Sequence, residues 1–480
     1  MGEKLARREF IGLPGQKQPR ATTLEPRLAS RAIAARYEGA AQVWRTDPKN
    51  KIARMQDLSW AENGAQEPSI TIRPSIRYQE MLGFGAALTG AACYVLSKLP
   101  GDTRSRLFHT LFHPTELRMN VCRTCIGSSD CSESIYSYDD GEVDPDLSRF
   151  SIEKDREYIL PILREARAAN PEMFLFASPW SPPGWMKSNG SMLGGCMRHT
   201  YMPSYANYFL RYLREYEAAG VPIQAVTIQN EVDADQDGSM PACAWPQDYE
   251  ADFLTMHLGP LFQRAGVSTK IWIIDHNYNM WGRAICELET PDVLKFTNGV
   301  AWHGYAGEPE WILRVQNAFP GVEMYWTEGD ADYHAADYTT EWSDWGETFT
   351  RIVRSGCKSL TVWTLASDER GRPDVGSGDG LTGAILIHSK TNEITYSGMF
   401  WALSQFSKFI ERGAIRIESE GPSDRLFHCA FENPDGSLVS VLTNQGPGRR
   451  YNLVVGDQAL GLSLPADSVT TIVTGTPIRP

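Results

Sequence analysis

Ala225-Val226-Thr227-Ile228-Gln229-Asn230-Glu231 is an apolar run that turns polar at its end. Tyr249 to Ala265 follows with apolar residues three and four apart, and then comes a second run, Lys270-Ile271-Trp272-Ile273-Ile274-Asp275-His276-Asn277. A run without alternation reads as a strand buried on both faces, and a helix between two such strands is the crossover of a parallel sheet. The unit recurs in both directions. Runs stand at Met81 to Ala87, Arg118 to Ile126 and Phe174 to Trp180 on one side, and at Val300 to Tyr305, Glu323 to Glu328 and Leu360 to Ala366 on the other, which makes eight. Asp155 to Ala169, Tyr205 to Ala219 and Trp345 to Ser355 repeat the helical spacing. Eight strand-helix units over roughly 310 residues predict an α/β fold of the (β/α)8 TIM-barrel type, with an open doubly wound sheet as the competing architecture.

The flanks have another texture. Gln42 to Thr46 and Ser69 to Arg73 alternate apolar and polar residues, as do Phe427 to Phe431, Leu438 to Leu442 and Ser468 to Val473, with Asn433-Pro434-Asp435-Gly436 as a turn. Alternation means one wet face, so the two chain ends are expected to pair into one small β-sandwich domain. The expected division is a flexible lead-in over 1–40, the first part of the β-domain over 41–78, the barrel over 79–410, and the rest of the β-domain over 411–480.

A formal charge of -13 over 480 residues disfavours nucleic acid as a partner, since phosphate binding needs clustered Lys and Arg. Hydrophobic residues at 42% and charged residues at 22% are globular values, and no apolar run approaches the roughly 20 residues of a membrane helix. The 14 Trp and 19 Tyr suit a carbohydrate partner, whose C–H faces pack on aromatic planes, although filling a large core accounts for most of them. Nine cysteines without paired CxxC spacing read as free, mostly buried thiols. Ala6-Arg7-Arg8-Glu9-Phe10-Ile11-Gly12 faintly resembles a twin-arginine export signal, but Pro14 and Gln16 to Arg20 stand where its apolar stretch belongs. As it stands the chain is expected to be cytoplasmic, or secreted or periplasmic if a signal has been truncated; the oligomeric state is left open.

In a TIM barrel the active site lies at the carboxyl ends of the strands. Here those ends carry Glu231 on the fourth strand and Glu328 on the seventh, surrounded by Arg123, Asp130, Trp180, Asp275, Asn277, His303, Tyr305 and Trp363. One loop carboxylate is as readily a partner for Arg or a helix end. Two in one barrel mouth are what glycosidic cleavage needs, one to protonate the departing oxygen and one to attack the anomeric carbon or activate water. Two other readings remain: a carbohydrate-binding barrel without turnover, and a metal-assisted hydrolase using Asp275, His276 and His303. Gly376-Ser377-Gly378-Asp379-Gly380 lacks the Lys and strand-to-helix context of a phosphate loop and reads as a surface turn.

The motifs Gly83-Phe84-Gly85-Ala86-Ala87-Leu88-Thr89, Ala177-Ser178-Pro179-Trp180-Ser181-Pro182-Pro183-Gly184-Trp185-Met186-Lys187-Ser188-Asn189-Gly190, Gln229-Asn230-Glu231 and Trp326-Thr327-Glu328 resemble glycoside hydrolase family 30, the family of lysosomal glucosylceramidase. The resemblance runs from about residue 80 to 445 and takes in Phe406 to Ile410 and Asn433 to Ser437. It implies Glu231 as acid/base and Glu328 as nucleophile, with Asn230 on the sugar 2-hydroxyl. It further implies Arg123 and Tyr305 on the nucleophile and Asp130, Trp180 and Trp363 around the sugar; Asp275 and His303, by their place on the fifth and sixth strands, are expected in support. The implied carboxyl separation of about 5 Å is that of a retaining double displacement. Arg123 would favour the charged form of Glu328, whose charge would in turn keep Glu231 protonated. No metal or cofactor is implied. Gly90 and Gly304 depart from the family pattern, as does the loop from Val232 to Trp245, which bears on the aglycone more than on the chemistry. A β-glucoside, glucosylceramide-like or a short glucan, is the expected carbohydrate or glycolipid substrate, with β-xylosides and β-1,6-glucans as alternatives.

Overall fold

The computed structural model describes residues 27–28, 36–62, 67–332, 334–376 and 382–478. The arginine pair near the start, most of the 1–40 lead-in, and Ser377 to Gly380 lie outside these residues.

The barrel strands are β1 (Gly83–Ala86), β2 (Val121–Cys125), β3 (Phe174–Ser178), β4 (Ala225–Thr227), β5 (Lys270–Asn277), β6 (Gly299–His303), β7 (Glu323–Glu328) and β8 (Cys357–Val362). Among the described residues they form one sheet in the order β1-β8-β7-β6-β5-β4-β3-β2, with parallel neighbours. The β1–β2 seam closes the barrel: Asn120 N donates to Phe84 O at 2.8 Å, Leu88 N donates to Arg123 O at 2.7 Å, and Ala87 bridges Arg123. Glycine makes this approach possible. A Cβ on Gly85 would lie 2.0 Å from Val121 O, and one on Gly83 would lie 1.9 Å from Asn120 Oδ1.

Two layers fill the barrel. The lower is apolar: Val121, Phe176, Ala225, Trp272, Ala301 and Tyr325 pack together, with the Trp272 and Tyr325 rings stacked at 4.0 Å. Two residues further along five of these strands, on the same face by strand geometry, come Arg123, Ser178, Thr227, His303 and Thr327. β5 breaks the count of two. Its ladder slips between Ile274 and His276, with φ of 75° at Ile274 and 45° at Asp275, and this bulge turns Asp275 inward three residues after Trp272. The fold thereby lays a charged layer directly on an apolar one.

Outside the strands, the longer helices bury one stripe each, whereas Gly398–Ser407 is buried nearly all round. On Met202–Ala218 that stripe is Tyr205, Tyr208, Phe209, Tyr212, Leu213 and Tyr216. The segment expected as one helix over Tyr249 to Ala265 runs as Gln247–Asp252, a π-helical Phe253–Leu258 and Gly259–Ala265. β4 ends at Thr227 rather than Glu231, because the backbone leaves the ladder: Asn230 N donates to Pro179 O at 2.8 Å and Glu231 N to Asp275 O at 2.9 Å. β8 stops at Val362, and Ala366–Asp368 instead joins Ile385–Ile387 and Ile394–Tyr396 in a small separate sheet.

Both chain ends build the β-domain. Ser69–Glu80 pairs antiparallel with Ile415–Glu420 and parallel with Arg449–Val455, while Gln42–Asp47 pairs antiparallel with Ser468–Val473. These strands enclose a second core that includes Val43, Ile70, Ile72, Leu442, Leu453, Leu460 and Ile472. The domain is pinned to the barrel by Gln405, which donates to Thr46 Oγ1 at 3.0 Å and accepts from Thr471 Oγ1 at 2.7 Å. No helix among the described residues is long and apolar enough to cross a membrane. All nine cysteines are free; seven are buried, and Cys196 and Cys286 are exposed.

Candidate active site

Arg123 is the joint of the site. Wholly buried, it donates from Nη2 to Asp275 Oδ2 at 2.7 Å and to Asn230 Oδ1 at 2.8 Å, from Nε to Ser178 Oγ at 3.1 Å, and from Nη1 to Glu328 Oε2. Burial alone would lower its pKa, but Asp275 and Glu328 outweigh that and raise it. The guanidinium also lies 4.8 Å from the Trp180 ring and 5.4 Å from the Trp363 ring, which stack on each other at 4.9 Å. Cation and rings form one wall.

Asp275 accepts five contacts: Arg123, Ser178 Oγ at 2.9 Å and Thr227 Oγ1 at 2.7 Å on Oδ2, and Thr327 Oγ1 at 2.7 Å and His303 Nε2 at 3.0 Å on Oδ1. Burial would raise its pKa, yet Arg123 and His303 hold it well below the ordinary carboxylate range. The position of Asp275 is set from behind. Glu250 Oε1 accepts from Ile274 N at 2.9 Å, and Arg283 ties Glu250 Oε2 at 2.8 Å to Trp245 O at 2.9 Å in the loop after Glu231.

The two carboxylates of the sequence reading meet around one imidazole. His303 Nδ1 lies 3.4 Å from Glu231 Oε1, and His303 Nε2 lies 3.7 Å from Glu328 Oε2. Glu328 also accepts from the Tyr305 hydroxyl at 3.1 Å; Tyr305 stands half out of the mouth and reaches back. Burial lowers the pKa of His303, but Glu328 and Asp275 prevail and carry it up to about 9. This corrects the expectation for Glu231. Burial does push Glu231 up, but the cationic His303, with His276 on the other side, holds it below the usual glutamate value in the free chain. An imidazolium between the acids reverses the sign that Glu328 alone would give.

Asn277 is placed differently from its neighbours: its Oδ1 accepts from Tyr305 N at 2.9 Å and Ala306 N at 3.2 Å, so it shapes the loop after β6. The set Asp275, His276 and His303 does not converge on one point, because Asp275 sits behind His303. His276 faces Glu231 instead, 3.5 Å from Oε1, with Nε2 2.6 Å from Asp233 Oδ1. Asp130 is buried, and its Oδ1 has no partner among the described residues; burial first and Glu328 next push its pKa up to about 7. Asp330, two residues past Glu328, is raised to about 8 by the same causes. The sequence reading missed Asp330, and likewise Ser178, Thr227 and Thr327. The last three were legible in principle as polar residues two places beyond an inward apolar one.

The sequence pattern of the glycosyl hydrolase family 30 TIM-barrel domain matches residues 81–410, and that of the family 30 beta sandwich domain matches 413–472. An endo-1,6-beta-D-glucanase of Neurospora crassa is 33% identical over 402 residues, covering 80% of this chain and 82% of the relative. The lysosomal acid glucosylceramidase of Mus musculus is 26% identical over 415 residues, covering 82% of this chain and 80% of the relative. The solved endo-beta1,6-glucanase BT3312 superposes with a TM-score of 0.84 at 27% identity, over 92% of this chain and 100% of the other.

Proposed function

We propose that this chain, which belongs to glycosyl hydrolase family 30 and is an O-glycosyl hydrolase, cleaves β-glucosides with retention, its polymeric substrate being β-1,6-linked glucan. The observation that carries the reading is the contact of both acids with His303, at 3.4 Å for Glu231 and 3.7 Å for Glu328. Two carboxylates from separate strands thus stand a side chain's width apart, with one face of the sugar for each.

Glu328 attacks the anomeric carbon as a carboxylate, with Arg123 and Tyr305 donating to it, while Glu231 delivers a proton to the departing oxygen. In the free chain the two imidazoles favour ionised Glu231. The entering sugar displaces water and strengthens the burial that already pushes this acid up, so protonation accompanies binding. Once Glu328 is esterified, Glu231 takes a proton from water, which opens the ester. Asn230 turns its Oδ1 to Arg123, leaving Nδ2 for the sugar 2-hydroxyl. The unpartnered Asp130 Oδ1 accepts another hydroxyl, and the Trp180–Trp363 wall takes the apolar face.

The choice of β-1,6-glucan is supported by the endo-1,6-β-glucanases among the relatives, with glucosylceramide as the second reading from the lysosomal relative. A panel of aryl β-glucosides, β-1,6-glucan, glucosylceramide and β-xylosides, with the first-formed anomer read by NMR, tests both parts. Retention and a β-1,6-glucan preference are expected. An inverted first product overturns the mechanism, and preference for another substrate overturns the specificity alone.

A further inference from the structure

Glu231 takes part in a second arrangement. His276 Nδ1 lies 3.5 Å and His303 Nδ1 3.4 Å from Glu231 Oε1. At these distances neither Nδ1 makes a well-formed hydrogen bond beyond its charge contact with Glu231, although His276 is only 7% exposed and His303 0%. Buried polar atoms are normally paired at hydrogen-bond distance, and two imidazole nitrogens standing off one carboxylate oxygen leave a gap that a cation, displacing the proton of His303, would fill. The remaining atoms of the three groups are committed elsewhere. His276 Nε2 is 2.6 Å from Asp233 Oδ1, His303 Nε2 is 3.0 Å from Asp275 Oδ1, and Glu231 Oε2 accepts from Gln236 Nε2 at 2.7 Å.

We propose that Glu231 Oε1, His276 Nδ1 and His303 Nδ1 form a three-ligand site for a divalent transition-metal cation, Zn2+ foremost, whose occupation blocks hydrolysis. Tetrahedral Zn2+ with bonds of about 2.0–2.1 Å sets neighbouring ligand atoms about 3.4 Å apart. Two edges of the triangle have that length, and the three residues offer one ligand atom each within 4.8 Å of one another. A carboxylate behind each imidazole is the arrangement that fixes histidine ligands on a metal, and Asp233 and Asp275 supply it. Two nitrogens and one oxygen select Zn2+ or Cu2+ over the oxygen-seeking Mg2+ and Ca2+. Three protein ligands leave a fourth position for water or a sugar hydroxyl. The hydrolytic steps use no metal; a cation on Oε1 occupies the lone pair that must carry the proton, so it competes with catalysis.

The test is calorimetric titration of ZnCl2 into the full chain after chelation and dialysis, with the exposed Cys196 and Cys286 replaced by Ser. One saturable Zn2+ site is expected, with no response to Mg2+ at the same concentration. His276→Gln weakens Zn2+ binding at least about 10-fold, and Asp233→Asn, at a half-exposed position, weakens it about 10- to 100-fold. Asp233→Asn carries the test if His276→Gln does not fold, as judged by thermal unfolding. Zn2+ also inhibits aryl β-glucoside hydrolysis, and EDTA restores it. Absence of saturable binding, or equal affinity in chain and variants, overturns the proposal. Calorimetry needs no turnover, so the site stands or falls separately from the hydrolytic reading.

Discussion

Arg123 Nη2 donates to Asp275 Oδ2 at 2.7 Å, and neither side chain has any exposed surface. Through its other nitrogens the same guanidinium reaches Glu328 and Asn230, so this pair joins the barrel interior to both proposed catalytic strands. Asp275→Asn leaves the cation short of its fully buried counter-ion, and a loss of about 3–5 kcal/mol is expected in urea unfolding. Arg123→Met with Asp275→Leu removes both charges together. It is expected to regain part of that stability without regaining activity, because Glu328 then has no guanidinium.

Glu231→Gln keeps the shape of the acid but cannot donate its proton as a carboxylic acid does. Expected is a fall in kcat/KM of about 10²- to 10⁴-fold for alkyl β-glucosides, which need that proton, and a much smaller fall for dinitrophenyl β-glucoside, which leaves without it. Steady-state kinetics on the two substrates checks the split. Equal losses on both would assign Glu231 another role.

His428 lies in the β-domain, 8% exposed, with Ser419 Oγ at 2.9 Å from its Nδ1. Burial first, and Arg354 second, lower its pKa from 6.5 to about 4. Between those values the unfolded chain binds a proton that the folded one refuses, so the stability held above pH 6.5 declines as pH falls toward 4. The full contribution is about 3 kcal/mol. Urea titrations at pH 7.5 and 4.5 should show a smaller pH penalty in His428→Gln than in the parent.

Asp130 and Asp330 have folded pKa values near 7 and 8, above the usual 3.8 for aspartate, by burial and then by Glu328. Here the unfolded chain loses its protons first, so each group subtracts stability as pH rises from about 4 through its folded value. Ionisation also adds negative charge beside Glu328, the proposed nucleophile. Asp330→Asn is expected to flatten the decline of stability between about pH 4 and 8 and the decline of kcat/KM around pH 8, which thermal unfolding in matched buffers and pH–rate profiles would read. An unchanged alkaline limb would place its cause elsewhere.

The sequence by itself determined the architecture. Apolar runs from Met81 to Ala366 with helical spacing between them leave few alternatives to parallel strands, because a strand covered on both faces has no polar side to display. Glu231 and Glu328 were legible for the same reason, as ionisable groups at the ends of runs that otherwise exclude charge. So was the union of the two chain ends, since alternating strands at 69–73 and 468–473 each need a partner sheet.

Tertiary structure decided what those acids face. The bulge that turns Asp275 inward rests on Glu250, 24 residues away in sequence, accepting from Ile274 N, and no local pattern announces it. The positive φ of Glu231, the approach of His276, and the imidazole of His303 between the two carboxylates arise only when β4, β5, β6 and β7 close into one ring. Protonation follows from that closure, because burial and charge act through space over a few ångströms. The chain order brings Glu231 and Glu328 to the same mouth; the fold sets the charge between them.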